Sequence, residues 1–231
     1  MTENHKETRT YLAVPYSENG EAKQLGAKWD PVNKKWYAPN KESILIGRWG
    51  LKQLHLSGED RTYGGNKLFV DLIPETCWFT NVRYCVHPSD WEQLRIHIFE
   101  RVNYICECCG VDAKKTTTRL EAHERWDYDE KTQTQKLVRL VALCHECHQS
   151  THIGYARIIG KAKEARLHLQ KVRGWSDEEC ETHIREAFDL WSRRNEVEWH
   201  LDLSLITSNN LKLARSIPDK DERVGIMESK R

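Results

Sequence analysis

The sequence predicts an α+β protein with two domains, the second of them stapled by a zinc ion. Three observations lead to this prediction. Runs that alternate apolar and polar residues lie next to segments with apolar residues at helical spacing. A polar stretch with paired glycines divides the chain at residues 57–67. Two Cys-x-x-Cys pairs follow in the second part. The 231 residues are enough for one small and one medium domain.

The first predicted domain is a small α+β domain at residues 9–56. The stretch "RTYLAVPY" alternates like a strand, and "SENGEAKQLGAKW" is typical of a short helix. The stretch "KWDPVNKKWY" predicts a hairpin, because Asp30, Pro31 and Asn33 favour a turn. Residues 57–67, "SGEDRTYGGNK", are expected to be a linker.

The second predicted domain covers residues 68–206. The stretch "HPSDWEQLRIHIFERVNY" has apolar residues at helical spacing and predicts a helix. The stretch "TTTRLEAHERWDYDEKTQTQKLVRLVALC" predicts two strands around a polar turn. A helix that ends at Gly174 follows, and then one that begins with a capping box of Ser176 and Glu179. Residues 196–206 alternate and predict a C-terminal strand, and residues 207–231 predict a flexible tail.

Composition narrows the classes of function. The chain has no run of 18 apolar residues, and its start, "MTENHKETRT", lacks an apolar signal core. We therefore expect a soluble, cytoplasmic protein without a membrane partner. Its net charge is +1, so any nucleic-acid binding must come from local patches rather than from a global basic field.

The two cysteine pairs predict a structural zinc site. They are separated by 34 residues, and each pair places two thiolates on one side of a tight turn. In a reducing compartment such pairs are more often metal ligands than disulfides. A pair of redox motifs is the weaker alternative, because neither pair precedes a helix inside a βαβ pattern. The predicted zinc ligands are Cys106, Cys109, Cys144 and Cys147.

Three histidines lie around the second cysteine pair in the predicted fold. His148 follows Cys147 directly, and His152 lies one helical turn further on, so both side chains are expected on one side of a helix. His123 ends the first predicted strand, in "RLEAHE". A hairpin followed by a helix, with zinc holding its ends, would bring His123 opposite His148.

Residues 104–153 resemble the HNH (ββα-metal) nuclease family in "CECCG", "LEAHE" and "LVALCHECHQSTH". The resemblance implies a ββα-metal domain that cleaves DNA. It implies that His123 is the general base that activates water, and that His148, with His152, holds a catalytic Mg²⁺ or another divalent metal. In a second register His123 is a metal ligand instead, and Glu124 takes the position of the base.

Arg139 is a departure from the family pattern. It stands where the family has an asparagine, and an arginine cannot accept the hydrogen bond that would orient an imidazole, although it can contact a phosphate. The leading expectation is a metal-dependent DNA endonuclease, which the pair His123 and His148 favours. Arg139 favours the alternative, a non-catalytic, zinc-stabilised factor of a plasmid or phage that binds DNA or protein, with an anti-restriction or maintenance role. Arg125, beside the histidine strand, is expected to contact DNA.

The first domain resembles a small domain found in plasmid and phage DNA-processing proteins, including conjugative primases. The resemblance lies in "LGAKWDP" and "KKWY". Two interpretations stay open for the tryptophans: they form the core of a very small domain, or they form a stacking platform for single-stranded nucleic acid, flanked by lysines that contact phosphates. The residues expected to bind nucleic acid in the second interpretation are Lys28, Trp29, Lys34, Lys35 and Trp36.

Overall fold

A computed structural model of the chain describes residues 9–40, 44–78, 81–214, 216 and 221–222. The fold is α+β, as predicted, with two three-stranded sheets. The strands are β1 (Thr10–Leu12), β2 (Lys28–Asp30), β3 (Lys35–Ala38), β4 (Leu120–Asp129), β5 (Thr134–Cys144) and β6 (His200–Asp202). The helices are α1 (Asn19–Gln24), α2 (Ile44–Trp49), α3 (Val82–Cys85), α4 (Pro88–Glu100), α5 (His145–Thr151), α6 (Ile153–Ile158), α7 (Ala162–Arg173), α8 (Asp177–Asn195) and α9 (Ser204–Thr207).

The first unit, residues 9–56, contains the smaller sheet, in which β3 lies between β1 and β2. The predicted β2–β3 hairpin is present, and Trp29 pairs with Trp36 across it. Asp30 holds its turn: the buried carboxylate accepts hydrogen bonds from the Tyr11 hydroxyl at 2.7 Å and from the Asn33 side-chain amide at 3.0 Å. Its other oxygen accepts from the backbone N–H of Val32 and of Asn33. The turn is therefore built by a single side chain.

The first unit is packed against α4. Gln93 on that helix is 5% exposed and makes two hydrogen bonds with the backbone of the first unit. Its Oε1 accepts from the Lys52 N–H at 3.0 Å, and its Nε2 donates to the Gly50 carbonyl at 2.8 Å. The Lys35 ammonium adds an ion pair with Glu100. Several polar contacts therefore join the two parts of the chain.

Residues 57–67 differ from the predicted linker, since they pack against the second part of the chain. The Glu59 carboxylate pairs with Arg101 at 2.6 Å and accepts from the Leu140 N–H on β5 at 2.9 Å. The paired glycines form a tight turn, because Gly64 and Gly65 both have positive φ, 69° and 55°. The predicted linker is therefore part of the second unit, which we define as residues 57–214.

The centre of the second unit is the predicted hairpin of β4 and β5. Its antiparallel register runs from Leu120 opposite Cys144 to Asp129 opposite Thr134, with an irregularity after Arg125. Strand β5 ends at Cys144, and helix α5 begins at the following residue, His145. The apolar side of the sheet packs against the neighbouring helices and buries Leu94, Ile98, Leu137, Leu140 and Leu169.

The helix predicted to reach Gly174 is divided into three helices. His152 has φ −95° and ψ 45°, and it separates α5 from α6. Gly160 has a φ of 73° and lies between α6 and α7. The predicted end is correct, since α7 stops at Gly174 in the left-handed conformation. The next helix, α8, has the predicted capping box of Ser176 and Glu179.

The C-terminal region is less extended than predicted. Strand β6 has three residues, parallel to β5, and the chain enters α9 directly after it. The predicted tail packs further than expected: Leu211 is buried, and the Lys212 carbonyl accepts from the His87 N–H at 2.8 Å. Beyond Ala214, most of the predicted tail lies outside the described residues. Within the described ranges, no helix is long and apolar enough to cross a membrane.

Candidate metal centres and the adjoining cleft

The four predicted cysteine ligands converge. The Sγ atoms of Cys106, Cys109, Cys144 and Cys147 all lie within 4.8 Å of one another, and the Cys109 and Cys144 sulfurs are 3.5 Å apart. Backbone N–H groups also point at the sulfurs, from Cys144 to Cys106 at 3.2 Å and from Cys147 to Cys144 at 3.4 Å. The two knuckles therefore close one cluster at the base of the hairpin.

The electrostatics of the cysteine cluster are compatible with a bound cation. The thiols of Cys144 and Cys147 donate to Cys106 and lower the pKa of that thiol, and the same contacts raise the pKa values of Cys144 and Cys147. Four thiolates this close together repel one another, and a bound metal ion would neutralise them. Four converging sulfurs fit tetrahedral Zn²⁺.

Two side chains that the sequence did not single out support this cluster. His168, on α7, places Nε2 3.2 Å from the Cys147 sulfur. Glu107, inside the first knuckle, accepts from the Ala142 N–H at 2.7 Å and thereby ties the knuckle to β5. Glu107 lies inside the "CECCG" motif, so its position next to a predicted zinc ligand could have identified it from the sequence. His168 lies 21 residues after Cys147, and no spacing rule identifies it.

The three histidines form a second cluster. One ring nitrogen from each of His123, His148 and His152 lies within 4.8 Å of the others. The strand β4 supplies His123, and α5 with the residue after it supplies the other two. The His152 N–H still donates to the His148 carbonyl at 3.1 Å, so the helical turn between them is kept. The predicted approach of His123 to His148 is present, with ring centroids 5.3 Å apart.

Burial favours the neutral form of all three imidazoles. Burial lowers the pKa of His123 well below its usual range, lowers the pKa of His152 to about 3, and lowers the pKa of His148, although Glu121 opposes the last shift. His123 is 1% exposed, and neither of its ring nitrogens has a hydrogen-bond partner in the part of the chain that the structure describes. A buried, neutral imidazole with unpartnered nitrogens fits a metal ligand.

Glu121 orients one of these imidazoles. Its Oε2 lies 3.1 Å from His148 Nδ1, and its Oε1 lies 2.9 Å from Nδ1 of His145. A carboxylate on Nδ1 fixes the histidine tautomer and leaves Nε2 for a metal. Glu121 is two residues before His123 on β4, so both side chains project from the same face of the strand. That alternation is the signal that identifies Glu121.

The donor set of the histidine cluster narrows the choice of metal. Three imidazoles without a carboxylate fit Zn²⁺ or a similar transition metal. Magnesium prefers oxygen ligands in an octahedral arrangement. The site therefore does not fit the Mg²⁺ named in the sequence-based expectation, and it does fit the broader expectation of a divalent metal.

Glu124 lies apart from the histidine cluster. Adjacent strand residues point to opposite faces, and the Glu124 carboxylate accepts from the Val82 N–H at the start of α3, at 3.0 Å. Burial raises the pKa of Glu124 to about 7. In the described conformation its carboxylate stabilises the position of α3.

Arg139 is also committed to structural contacts. It is 2% exposed, pairs with Glu107 at 2.8 Å, and donates to the carbonyls of Tyr63 and Gly65 at 2.9 and 2.8 Å. Arg139, a candidate catalytic residue that could contact a phosphate, is therefore engaged in contacts within the fold in this conformation. Its guanidinium joins residues 57–67, the first knuckle and β5.

Arg125 is withdrawn from the surface as well. It is 1% exposed, with its guanidinium 3.9 Å from the centre of the Phe69 ring and 4.0 Å from the Asp71 carboxylate. A side chain this buried does not reach a DNA backbone. In place of the expected DNA contact, Arg125, two residues after His123 on β4, packs against Phe69 and Asp71.

The predicted nucleic-acid residues of the first unit divide into two groups. Lys28, Lys34 and Trp29 are exposed, with Trp29 at 48%. Lys35 is instead withdrawn: its side chain is 9% exposed and pairs with Glu100. Trp36 packs against the core of the first unit and meets Trp29 edge-on, with ring centroids 5.6 Å apart. Trp36 thus belongs to the core of the small domain, whereas Trp29 is exposed as the stacking-platform interpretation requires.

A cleft of about 1960 Å³ lies between the histidine cluster and the exposed residues of the β2–β3 hairpin. The three histidines lie on its wall in the second unit, and Trp29, Lys34 and Trp36 lie on its wall in the first unit. The histidine cluster therefore opens into a space that both units enclose.

The comparisons with known proteins concern the first unit. Residues 9–49 match a family described as Domain of unknown function (DUF5710). The chain is similar to two proteins from Escherichia coli, each named DNA primase TraC. One is 51% identical over 47 residues, which is 20% of this chain and 4% of that protein. The other is 53% identical over 45 residues, which is 19% of this chain and 3% of that protein.

The chain therefore spans only a few per cent of the length of these curated relatives. No solved structure matches it. The predicted resemblance of the first unit to a segment of DNA primases is confirmed, and residues 9–49 match the DUF5710 family.

Proposed function

We propose that the protein is a metal-dependent DNA endonuclease of the HNH type, which hydrolyses phosphodiester bonds at the three-histidine cluster. One observation carries the proposal. Three imidazoles converge within 4.8 Å, from a strand and from the helix that follows its hairpin, on the wall of a large cleft. A divalent metal held there would neutralise a phosphate and stabilise the leaving oxygen.

The cysteine cluster supports the proposal because it fixes the geometry of the histidines. Cys144 ends β5, caps α5 and pairs with Leu120 across the hairpin. A metal at the four sulfurs therefore holds the start of α5, and with it His148, against the strand that carries His123. Catalytic and binding groups need this kind of rigid support to keep a productive geometry.

The geometry favours the register in which His123 is a metal ligand. Both of its ring nitrogens are buried and unpartnered among the described residues, and one of them lies beside nitrogens of His148 and His152. Glu124 then occupies the base position of the family, and its carboxylate has to leave the Val82 N–H to act on a water molecule.

The hydrogen bonds of Glu124 and Arg139 favour a second candidate, a non-catalytic DNA-binding factor stabilised by metal. In the described conformation both side chains serve the fold, and neither faces the histidine cluster. This candidate shares both metal centres with the first one and differs in the absence of turnover.

A cleavage assay distinguishes the two candidates. The full chain is incubated with single-stranded circular DNA and with supercoiled plasmid, with added Zn²⁺, Ni²⁺, Mn²⁺ or Mg²⁺. We expect cleavage that His148→Ala lowers by at least a hundredfold. His200→Ala is the matched control, because His200 is exposed on β6 and belongs to neither cluster. DNA that is bound but never cut with any of the metals would favour the second candidate.

A further inference from the structure

The size of the cleft points to a polymer rather than a small molecule. Its volume, about 1960 Å³, is about twice that of the largest typical pockets for small ligands, roughly 300–1,000 Å³. The first unit forms a fixed wall, since Gln93 bonds to its backbone at both Gly50 and Lys52. A ligand that fills the cleft therefore contacts both units.

The lining of the cleft is rich in aromatic side chains. Several of them are exposed, among them Trp29 at 48%, Trp78 at 37% and Tyr155 at 64%. Aromatic faces stack on bases that are not paired, with little dependence on sequence. Duplex DNA keeps its bases stacked inside and is held through rows of cations on its phosphates.

The described lining of the cleft holds six cations, and two of them are neutralised by ion pairs. Lys35 pairs with Glu100, and Arg95 pairs with Glu92. The net charge of the whole chain is +1. Within the described lining, the cleft therefore combines a modest positive charge with the aromatic surface that unpaired bases need.

We infer that the cleft binds single-stranded DNA, with a base stacked on Trp29 and the strand continuing to the three-histidine cluster. This inference deepens the proposed function and rests on it for the cleavage step. Trp29 is held in place before a ligand arrives: Trp36 packs against it edge-on, and Asp30 fixes the turn of their hairpin.

Two exposed lysines lie beside this stacking position. The Lys34 ammonium donates to the Ala113 carbonyl at 3.3 Å, which places it next to Lys114 on the other unit. Both lysines line the cleft. They would supply phosphate contacts where the two units meet.

Fluorescence anisotropy tests the inference without any need for cleavage. All proteins carry His148→Ala, and the probes are a labelled DNA single strand, its duplex and an RNA strand of the same sequence. We expect the DNA single strand to bind most tightly. Trp29→Ala should weaken that binding by about five- to a hundredfold, the usual effect of removing one stacking residue. Trp29→Phe should keep most of the affinity, because a ring is retained.

Leu25→Ala is the matched control, since Leu25 is 42% exposed in the same unit and does not line the cleft. Circular dichroism checks that each variant is folded. Equal affinity for the DNA single strand and the duplex, tighter binding of RNA, or equal effects of Trp29→Ala and Leu25→Ala would overturn the inference. Trp29-dependent binding of single strands by a protein that never cuts DNA would instead overturn the proposed function alone.

Discussion

At the scale of the residue, carboxylates that accept several hydrogen bonds determine how the groups around them are placed. Glu121 contacts two imidazoles, His145 and His148, through its two oxygens. Asp30 organises the turn of the first unit in the same way, by accepting several hydrogen bonds. In both places one side chain positions the groups around it, so a substitution that keeps the size of the side chain tests its charge.

Glu121→Gln should weaken metal binding at the histidine cluster by about ten- to a hundredfold, because the amide orients His148 Nδ1 less well than a carboxylate does. Competition with a chromophoric chelator, titrated with Zn²⁺ or Ni²⁺, measures this affinity. Glu198→Gln, at an exposed position, is the control. An unchanged affinity would show that His148 does not need Glu121, and zinc retained by the four cysteines would confirm that the variant is folded.

Asp30 gives the first unit a pH-dependent stability. The side chains of Asn33 and Tyr11 donate to its carboxylate and hold its pKa well below the usual range. A folded-state pKa below the unfolded value of about 4 means that the stabilisation is present above pH 4 and is lost as the pH falls further. Urea unfolding between pH 7 and pH 3 should show this loss, and Asp30→Asn should remove that part of the pH dependence. A parallel loss in the variant would contradict the assignment.

At the scale of the element, local signals predicted what local contacts stabilise. Helix α8 begins at the predicted capping box, and the β4–β5 hairpin follows its alternation. The predictions differed from the structure where contacts between residues far apart in the sequence determine the local conformation. Residues 57–67 look like a linker, but Glu59 finds Arg101 42 residues later in the chain. Strand β6 has three residues because only those pair with β5.

The candidate site was predictable to a similar extent. The CxxC spacing identifies the four cysteines, and a separation of one helical turn identifies His148 and His152. The alternation of side chains along a strand identifies Glu121, which lies two residues before His123. The roles of Arg125 and Arg139 were not predictable, because their partners, Asp71 and Tyr63, come from a different part of the chain. A sequence shows that a residue is charged, and only the fold shows whether it is buried.

Cys144→Ser should release the structural zinc and destabilise the second unit, since metal binding at such sites is coupled to folding. Elemental analysis and thermal unfolding of the purified full chain measure the two effects. Cys108→Ser is a close control, because Cys108 lies in the same knuckle and outside the four-sulfur cluster. Folded wild-type protein without zinc would contradict the assignment of the four cysteines.

At the scale of the whole molecule, the docking of the first unit decides the shape of the cleft. Gln93 is the central contact, since it is buried and bonds to the backbone on both sides of residue 51. The two units are therefore expected to move as one body. The distance between Trp29 in the first unit and the three histidines in the second unit should then stay constant.

Gln93→Ala should loosen this wall, at a cost of about 1–3 kcal/mol for the backbone groups that lose their partner. Hydrogen exchange at residues 50–52 should become faster, and affinity for a DNA single strand should fall although Gln93 itself does not line the cleft. Gln53→Ala is the control, because Gln53 is exposed nearby. Unchanged exchange at residues 50–52 would show that other contacts hold the first unit.

The sharp boundary between β5 and α5 has a consequence for the newly made chain. The last cysteine ligand, Cys147, and the last histidine ligand, His152, are five residues apart in the sequence. As the ribosome extends the chain, the final donors of both metal centres leave it almost together. A nascent chain that ends before Cys147 contains neither complete set of donors, so the chemistry proposed for the histidine cluster would become available only once all four cysteines are present.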